Sequence, residues 1–333
     1  SLRASCDHSR HEPGERRERR ESRHGPIVAD SRCDGDRLGA TTVAFGRIFA
    51  NMPQLPPSRD VVIASKSRDV IACALARAAL AAGPAVMEEY AQQAGARSKA
   101  DGSPVTAADE RAEEIIREWL ARMAPTTPLV AEEAAAAGCS LDVGARFFLV
   151  DPLDGTREFL ARNGEFTINV ALIDNCAPVA GAVYAPASGR LWFAGEAAFF
   201  CAAPVGGDLP DETLWRRLRT RPAPPRWVAL ASRSHCDPET EAFLAQLPIG
   251  ERTAAGSSLK FCVIAEGGAD VYPRFAPTME WDTAAGDAVL RAAGGVVLDA
   301  GGEPLAYGKV GAGLRNGAFV AWGDPNAARG HHR

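Results

Sequence analysis

Histidine is scarce in this chain, and its placement is more telling than its number. Six are present: His8, His11 and His24 lie near the start, His331 and His332 near the end, and only His235 falls in the body. A histidine-based zinc centre needs more imidazoles than that. A Ser-His-Asp triad would have to use His235, and no G-x-S-x-G elbow accompanies it. The eight cysteines are scattered, with no C-x-x-C pair. A chain of 333 residues, 46 % hydrophobic, does not need disulfide staples, so reduced thiols in a cytoplasmic compartment are the simpler reading. Cys73, Cys176 and Cys262 sit in apolar surroundings and are expected as small core residues. A basic surplus is also missing: 37 Lys and Arg against 42 Asp and Glu give −5, which offers no footing for a nucleic acid polymer. No apolar run approaches the roughly 18–20 residues of a membrane span. The best candidate, Ala72–Ala82, is interrupted by Arg77 and soon stopped by Gly83-Pro84. Peripheral contact with the inner membrane is left open. If the chain is an enzyme, carboxylates and metal carry its chemistry.

Residues 1 to about 60 differ from the rest, with the mixed-charge run Arg16-Arg17-Glu18-Arg19-Arg20-Glu21 and the pair Pro56-Pro57. They lack the h-region of a secretory signal and read as a disordered leader without an assigned function. From Ser67 the spacing of Val70, Ile71, Ala74, Leu75 and Ala78 predicts a helix to about Gln93, broken near Gly83-Pro84. A loop, Arg97 to Val105, leads to a second helix, Ala107 to Met123, which Pro125 stops. Short strands are expected at Pro128–Ala131 and Phe147–Val150, then a meander at Phe166–Ile173, Val179–Tyr184 and Leu191–Ala194. After the proline-rich segment Arg221–Pro225 come strand Trp227–Ala231, helices Pro238–Leu247 and Ser257–Glu266, and strand Asp270–Tyr272. Helix Thr283–Ala293 and strands Val296–Leu298 and Phe319–Ala321 complete the pattern. The fold class is therefore an α+β half (61–200) joined to an α/β half (201–325), with 326–333 as a tail.

Carboxylates gather at the ends of these elements. In Phe147-Phe148-Leu149-Val150-Asp151-Pro152-Leu153-Asp154-Gly155-Thr156 an apolar strand runs into two acids three residues apart. Regular strand geometry would send Asp151 and Asp154 to opposite faces, so a turn is needed to converge them. Pro152 presets φ, Gly155 lets the backbone approach a ligand, and Thr156 opens a helix. Such a pair suits a divalent cation beside a phosphate; an Asx-turn ending a strand is the plainer alternative. Glu132-Glu133 ends the strand Leu129-Val130-Ala131 and is open to the reading of two solvated glutamates. Asp282, in Trp281-Asp282-Thr283-Ala284-Ala285-Gly286-Asp287, has the form of an N-cap to a small-residue helix that must pack closely. Thr106-Ala107-Ala108-Asp109 has the form of a capping box, giving Asp109 a structural job as well.

Taken together, Pro104-Val105-Thr106-Ala107-Ala108-Asp109, Glu132-Glu133, Asp151-Pro152-Leu153-Asp154-Gly155-Thr156 and Trp281-Asp282-Thr283-Ala284-Ala285-Gly286 match a known pattern in order and spacing. Over residues 61–325 the chain resembles the inositol monophosphatase superfamily of Mg²⁺-dependent, lithium-sensitive phosphatases. The resemblance implies a layered αβαβα sugar-phosphatase fold and two to three Mg²⁺ ions. Glu132, Asp151 and the carbonyl of Leu153 would hold the first ion, and Asp151, Asp154 and Asp282 the second. Asp109 would help to hold a third or position its water. Glu132 and Thr156 would orient and deprotonate the attacking water, and the N–H groups of Gly155 and Thr156 would grip the phosphate. Li⁺ would replace one weakly held Mg²⁺.

Within the superfamily the chain resembles the bacterial 3'(2'),5'-bisphosphate nucleotidases of the CysQ type. The resemblance rests on Ser98–Thr106, on Arg157-Glu158-Phe159 with Asn163–Thr167, on Gly256–Cys262, and on Tyr272-Pro273-Arg274-Phe275. Inositol monophosphatases carry an acid where Arg274 stands. A guanidinium cannot accept hydrogen bonds from inositol hydroxyls, but it can fork onto a second phosphate. By resemblance Ser257, Ser258, Lys260 and Arg274 cradle the 5'-phosphate and ribose of adenosine 3',5'-bisphosphate, and His235 lies near the base; for Lys260 and Arg274 ordinary surface charge, and for His235 a solvated loop, are the alternatives. The implied partner is a small nucleotide bisphosphate, sulfated or not, in sulfur-assimilation housekeeping, and monomer and homodimer both stay open. Inositol or sugar phosphates are the alternative substrates, and a silent nucleotide-binding protein the alternative class. The chain departs from the pattern at Arg157, where Lys is usual, and at Asp287, often His or Asn, where the extra charge bears on the second metal.

Overall fold

The computed structural model describes residues 67–92, 97–98, 104–138, 143–231 and 237–331. The expected leader, most of the Ser98–Ser103 stretch and His235 lie outside the described residues. The first helix, α1 (Arg68–Gln92), runs without a break through Gly83 and Pro84. Pro84 is exposed while Ala82, Gly83, Ala85 and Val86 beside it are buried. Burial of the flanking turn outweighs the one hydrogen bond that the proline removes. That continuity also corrects the count of apolar residues, because α1 is long and apolar enough to cross a membrane by length and composition. In this fold 61 % of that stretch is buried inside the protein, as in a core helix.

A two-residue antiparallel pair follows, β1 (Arg97–Ser98) with β2 (Pro104–Val105), where a loop was expected. Helix α2 (Ala107–Met123) has the predicted bounds and opens with the predicted capping box. Next come β3 (Leu129–Ala131), the short helix α3 (Glu132–Ala136), β4 (Arg146–Asp154) and the short helix α4 (Thr156–Leu160). The meander is β5 (Thr167–Asp174), β6 (Ala177–Ala185), β7 (Arg190–Ala194), β8 (Ala198–Ala202) and β9 (Arg216–Arg217). Strands β3 to β9 form one sheet in sequence order, antiparallel except for the parallel β3–β4 pair. This sheet continues past residue 200, and the change of sheet falls at the proline-rich segment.

The second half contributes β10 (Trp227–Ala231), α5 (Pro238–Leu244), β11 (Ile249–Ala254), α6 (Leu259–Ala265) and β12 (Val271–Arg274). It continues with β13 (Thr278–Met279), α7 (Trp281–Ala292), β14 (Val296–Asp299), β15 (Arg315–Asn316), β16 (Phe319–Trp322) and α8 (Pro325–His331). Its five-stranded sheet has the order β11-β10-β12-β16-β14. Residues expected as a tail form α8 instead, held by buried Ala328 and by His331 edge-on to Trp227 at 5.1 Å.

Side-chain alternation sorts these elements into layers. Phe148 and Val150 of β4, with Val170 and Leu172 of β5, face a core shared with α1 and α2. Phe147, Leu149, Ala171 and Ile173 face the opposite core, shared with α6 and α7 and with Phe319 of the second sheet. Trp227, Val271 and Trp322 on the far face of that second sheet pack with Leu244 of α5 and Ala328 of α8. The order of layers is αβαβα, as expected. The central helix α7 is made of small residues because its neighbours come close. A Cβ on Gly181 of β6 would lie 2.8 Å from the carbonyl oxygen of Ala285, and one on Gly286 would lie 2.5 Å from Phe261. Of the cysteines expected in the core, Cys262 is buried and Cys73 half-buried, but Cys176 is exposed at the β5–β6 turn with φ +63°. Hairpin geometry overrides its apolar flanks there.

Candidate active site

The acids of β4 converge by a device other than the expected turn. Asp151 pairs with Asn169 and Asp154 with Thr167, so three steps along β4 match two along β5. This one-residue bulge turns both carboxylates to the same face and lifts Pro152 and Leu153 out of the ladder. The Leu153 carbonyl then accepts the Thr156 hydroxyl, at 3.4 Å. Gly155 follows at φ +91°, a left-handed conformation that admits the chain into α4.

Asp109 comes to the same place from α2. Its Oδ2 accepts from the Thr106 N–H at 2.8 Å and the Thr106 hydroxyl at 2.7 Å, and the residue is fully buried. Glu132 opens α3 directly after β3 rather than standing in a solvated loop. Asp282 lies in the first turn of α7, but Glu280 occupies the N-cap position, so the capping role expected of Asp282 is not the one it has. Its Oδ2 instead accepts from the Met279 N–H at 3.0 Å. Asp287, one turn on, has its charge satisfied by Arg291 at 2.6 and 2.8 Å and by the Tyr307 hydroxyl at 2.9 Å. It therefore adds no free charge beside Asp282.

A cleft of about 290 Å³ is lined by Glu132, Asp154, Thr156, Lys260, Arg274 and Asp282 among others. The acids around it raise one another's pKa. Asp151 is buried among Glu132, Asp154, Asp282 and Asp109, and lies well above the ordinary carboxylate value, burial contributing most and Glu132 next. Burial, then Asp154 and Glu132, push Asp282 up to about 8. Asp154 is raised too, chiefly by burial, against the pull of Lys260 and Ser258. Burial therefore disfavours simultaneous charge on Asp151, Asp154 and Asp282, and a cation would offset it.

Each of three acids is anchored through one oxygen. Oδ1 of Asp151 takes the Leu153 N–H at 3.0 Å. Oδ2 of Asp154 takes the Ser258 N–H at 2.6 Å and Asn169 Nδ2 at 3.2 Å. Asp282 is held through Oδ2, as above, and among the described residues the second oxygen of each makes no hydrogen bond. Among the described residues no three such side chains are drawn together tightly enough to hold an ion as they stand. Their chemistry is nevertheless suitable, since hard carboxylate and carbonyl oxygens are the donor set Mg²⁺ prefers. The residues fit the ion.

The expected substrate residues divide into two kinds. Arg274 borders the cleft, its guanidinium donating to the carbonyls of Ala276 at 3.1 Å and Pro277 at 3.4 Å and bonded to the Tyr272 hydroxyl as well. It makes no ion pair among the described residues. Lys260 is buried, and its ammonium donates to the carbonyls of Ser257 at 2.7 Å and Ala255 at 3.2 Å. Burial pulls it down to about 8, with Asp154 opposing. Ser257, at φ +42°, lines the cleft wall, whereas Ser258 is 1 % exposed and supports the acids from behind. The Ser258 hydroxyl lies 2.9 Å from Asp154 Oδ2 and 2.7 Å from the Asp282 carbonyl, tying β4 to α7. Asn169 completes this tie, 2.9 Å from Ser258 Oγ, and sequence reasoning did not single it out. The signal was present: an amide on the apolar strand Thr167-Ile168-Asn169-Val170 must serve something buried.

Residues 66–324 match the model of the inositol monophosphatase family. A 3'(2'),5'-bisphosphate nucleotidase CysQ of Shigella flexneri is 46 % identical over 71 % of this chain and 92 % of its own length. The protein of that name from Buchnera aphidicola is 38 % identical, with 71 % and 85 % covered. The crystal structure of CysQ from Bacteroides thetaiotaomicron, a bacterial member of the inositol monophosphatase family, superposes with a TM-score of 0.63 at 42 % identity, covering 76 % of this chain and 97 % of that one. An inositol monophosphatase from Zymomonas mobilis has the same fold, with a TM-score of 0.63 at 22 % identity over 80 % of this chain and 97 % of its own. A family model that spans most of the chain, relatives 38 % and 46 % identical over most of their length and the shared layered sheets agree: the chain belongs to the inositol monophosphatase family.

Proposed function

We propose that this protein is a Mg²⁺-dependent 3'(2'),5'-bisphosphate nucleotidase that removes the 3'-phosphate of adenosine 3',5'-bisphosphate, or of its sulfated form, leaving AMP or its sulfated counterpart. The observation that carries the reading is Arg274, a guanidinium without an ion-pair partner among the described residues, on the rim of a cleft walled by carboxylates. A monoester needs one anion site, which the metals supply; a bisphosphate needs a second, and a forked cation provides it. The likeness to the CysQ proteins over nearly their whole length supports the same substrate.

Glu132, Asp151 and the Leu153 carbonyl would hold a first Mg²⁺, Asp151, Asp154 and Asp282 a second, and Asp109 would steady a third or its water. When bound, the ions neutralise the acids, polarise the phosphoryl group and acidify the attacking water. Glu132 and the Thr156 hydroxyl would orient that water in line with the scissile bond; Glu132 would take its proton as the water oxygen bonds to phosphorus, the bond to the 3'-oxygen breaks, and the leaving oxygen takes up a proton from solvent. The backbone of Gly155 and Thr156 steadies the phosphate undergoing transfer. Arg274 holds the 5'-phosphate, and Lys260 keeps the Ala255–Ser257 loop in place beside it while adding a positive charge to the wall. Unpaired thiols at Cys73, Cys176, Cys201 and Cys262 support a reducing, cytoplasmic setting, where sulfur assimilation generates such nucleotides.

The test is phosphate release from adenosine 3',5'-bisphosphate and from inositol 1-phosphate, side by side, with Mg²⁺ and with or without Li⁺. Preference for the nucleotide, abolished by Li⁺, is the expected result. Preference for the inositol ester would leave the metal site standing and overturn the role of Arg274. Activity on neither would overturn the reading of the chain as a phosphatase.

A further inference from the structure

Glu132 sits on a helix that cannot hold itself. Helix α3 is five residues long, far below the length at which a helix is stable alone. Its N-cap position is Ala131, whose side chain offers no hydrogen bond to the open first turn. The missing cap comes from another element. Glu113 of α2, only 6 % exposed, accepts from the Glu133 N–H through Oε2 at 2.8 Å and from the Ala134 N–H through Oε1 at 3.2 Å. Arg117, one turn further along α2, donates to the same Oε1 at 2.6 Å and holds the carboxylate in that pose.

Glu113 stands four residues after Asp109, and both are buried. One helix therefore supplies an acid to the site directly and steers a second acid from behind. A negative carboxylate against the first N–H groups of a helix satisfies them and opposes the positive end of the helix dipole. Two bonds to successive amides fix both the position and the roll of α3, and with them the direction in which Glu132 leaves the backbone.

We infer that Glu113 is a positioning residue that sets the geometry of Glu132 by capping α3 from α2. The inference rests on the reading of Glu132 as a Mg²⁺ ligand. A carboxylate that only stapled α2 to α3 would affect stability and nothing else. A carboxylate that aims a ligand also sets metal affinity, and outer partners of metal ligands typically change that affinity by about 10–100-fold.

The experiment titrates Mg²⁺ into metal-free protein by calorimetry and follows amide hydrogen exchange at Glu133 and Ala134. The variants are Glu113→Gln, Glu113→Ala, Glu132→Gln and Glu114→Gln, the last removing the same charge from the exposed side of α2. Glu113→Gln is expected to weaken Mg²⁺ binding by roughly tenfold and to speed exchange at both amides, with the melting temperature nearly kept. Glu114→Gln is expected to leave both readouts within about twofold. If Glu132→Gln loses Mg²⁺ while both Glu113 variants bind it like the parent, Glu113 does not position the ligand. If Glu132→Gln itself binds Mg²⁺ normally, the metal reading of Glu132 fails, and this inference goes with it. Should Glu113→Ala not fold, Glu113→Gln, which keeps the side chain's size and one acceptor, decides the outcome.

Discussion

At the scale of single residues, the site is a set of buried and half-buried acids, a buried lysine, and a rim arginine that makes no ion pair among the described residues. Asp154 is the acid most firmly tied to its surroundings, through Ser258, Asn169 and, at 3.5 Å, the Thr167 hydroxyl. An asparagine there keeps an acceptor for the Ser258 N–H but removes a unit of negative charge. Asp154→Asn is expected to lower turnover at least about a hundredfold, or ~2.7 kcal/mol of transition-state stabilisation, while the melting temperature of the metal-free protein holds or rises. A silent nucleotide binder would instead keep its affinity through that substitution, which equilibrium dialysis with adenosine 3',5'-bisphosphate would reveal. Arg274 makes the complementary case. Hydrogen bonds to a charged group contribute about 1.5–3 kcal/mol, so Arg274→Ala is expected to cut kcat/KM for adenosine 3',5'-bisphosphate roughly 10–100-fold. Adenosine 3'-phosphate, which lacks the second phosphate, should lose little. Equal losses on both substrates would mean that Arg274 shapes the cleft and does not read the ligand.

At the scale of elements, the parts that local patterning determines were legible, and the parts set by distant partners were not. The capping box at Thr106 and Asp109 and the bounds of α2 follow from residues next to one another in the chain, and they were readable. The convergence of Asp151 and Asp154 was expected as a need, but the bulge that achieves it depends on the register of β5, which one strand cannot announce. Pro84 misled because its local cost is real, while the burial that offsets it comes from the sheet beneath α1. The N-cap assigned to Asp282 failed for the same reason: the loop before α7 is fixed by Gly308 and Lys309, whose N–H groups bind Glu280 at 2.6 and 2.9 Å. The small residues of α7 were legible as a demand for close packing, and the demand is met at Gly181. Gly181→Ala would set a methyl 2.8 Å from a backbone oxygen and 2.9 Å from the Ala288 Cβ. Overpacking of this kind costs about 1–3 kcal/mol, so a lower urea midpoint is expected, together with weaker Mg²⁺ binding because α7 carries Asp282. An unchanged midpoint would show that α7 can slide on β6.

At the scale of the whole molecule, the cleft lies where the seven-stranded sheet meets α6 and α7, so the acids join the two halves of the fold and their charge state bears on its stability. Burial pushes Asp282 up to about 8 from an ordinary 3.8, and Asp151 and Asp154 move the same way. Acids with raised values bind more protons folded than unfolded, so stability falls as pH rises through that interval. Lys260 works in the other direction and in a different window. Pulled from 10.5 to about 8, it binds fewer protons folded than unfolded, and its own contribution to stability rises with pH from about 8 towards 10.5. The capping acids Asp211, Asp237 and Asp324 are lowered below 3.8, so their loss falls at more acid pH and outside both windows. The metal-free protein is therefore expected to lose stability as pH rises from 4.5 to 8, measured as melting temperature in a chelator across that range; above 9.0 the burial-raised thiols of Cys73, Cys201 and Cys262 act against the recovery from Lys260. Mg²⁺ binds the ionised acids, so it should flatten the fall between pH 4.5 and 8 and release protons as it binds. Calorimetry in buffers of different ionisation enthalpy counts those protons. Parallel melting profiles with and without Mg²⁺, or no proton release near pH 7, would mean that the ion does not bind among these acids.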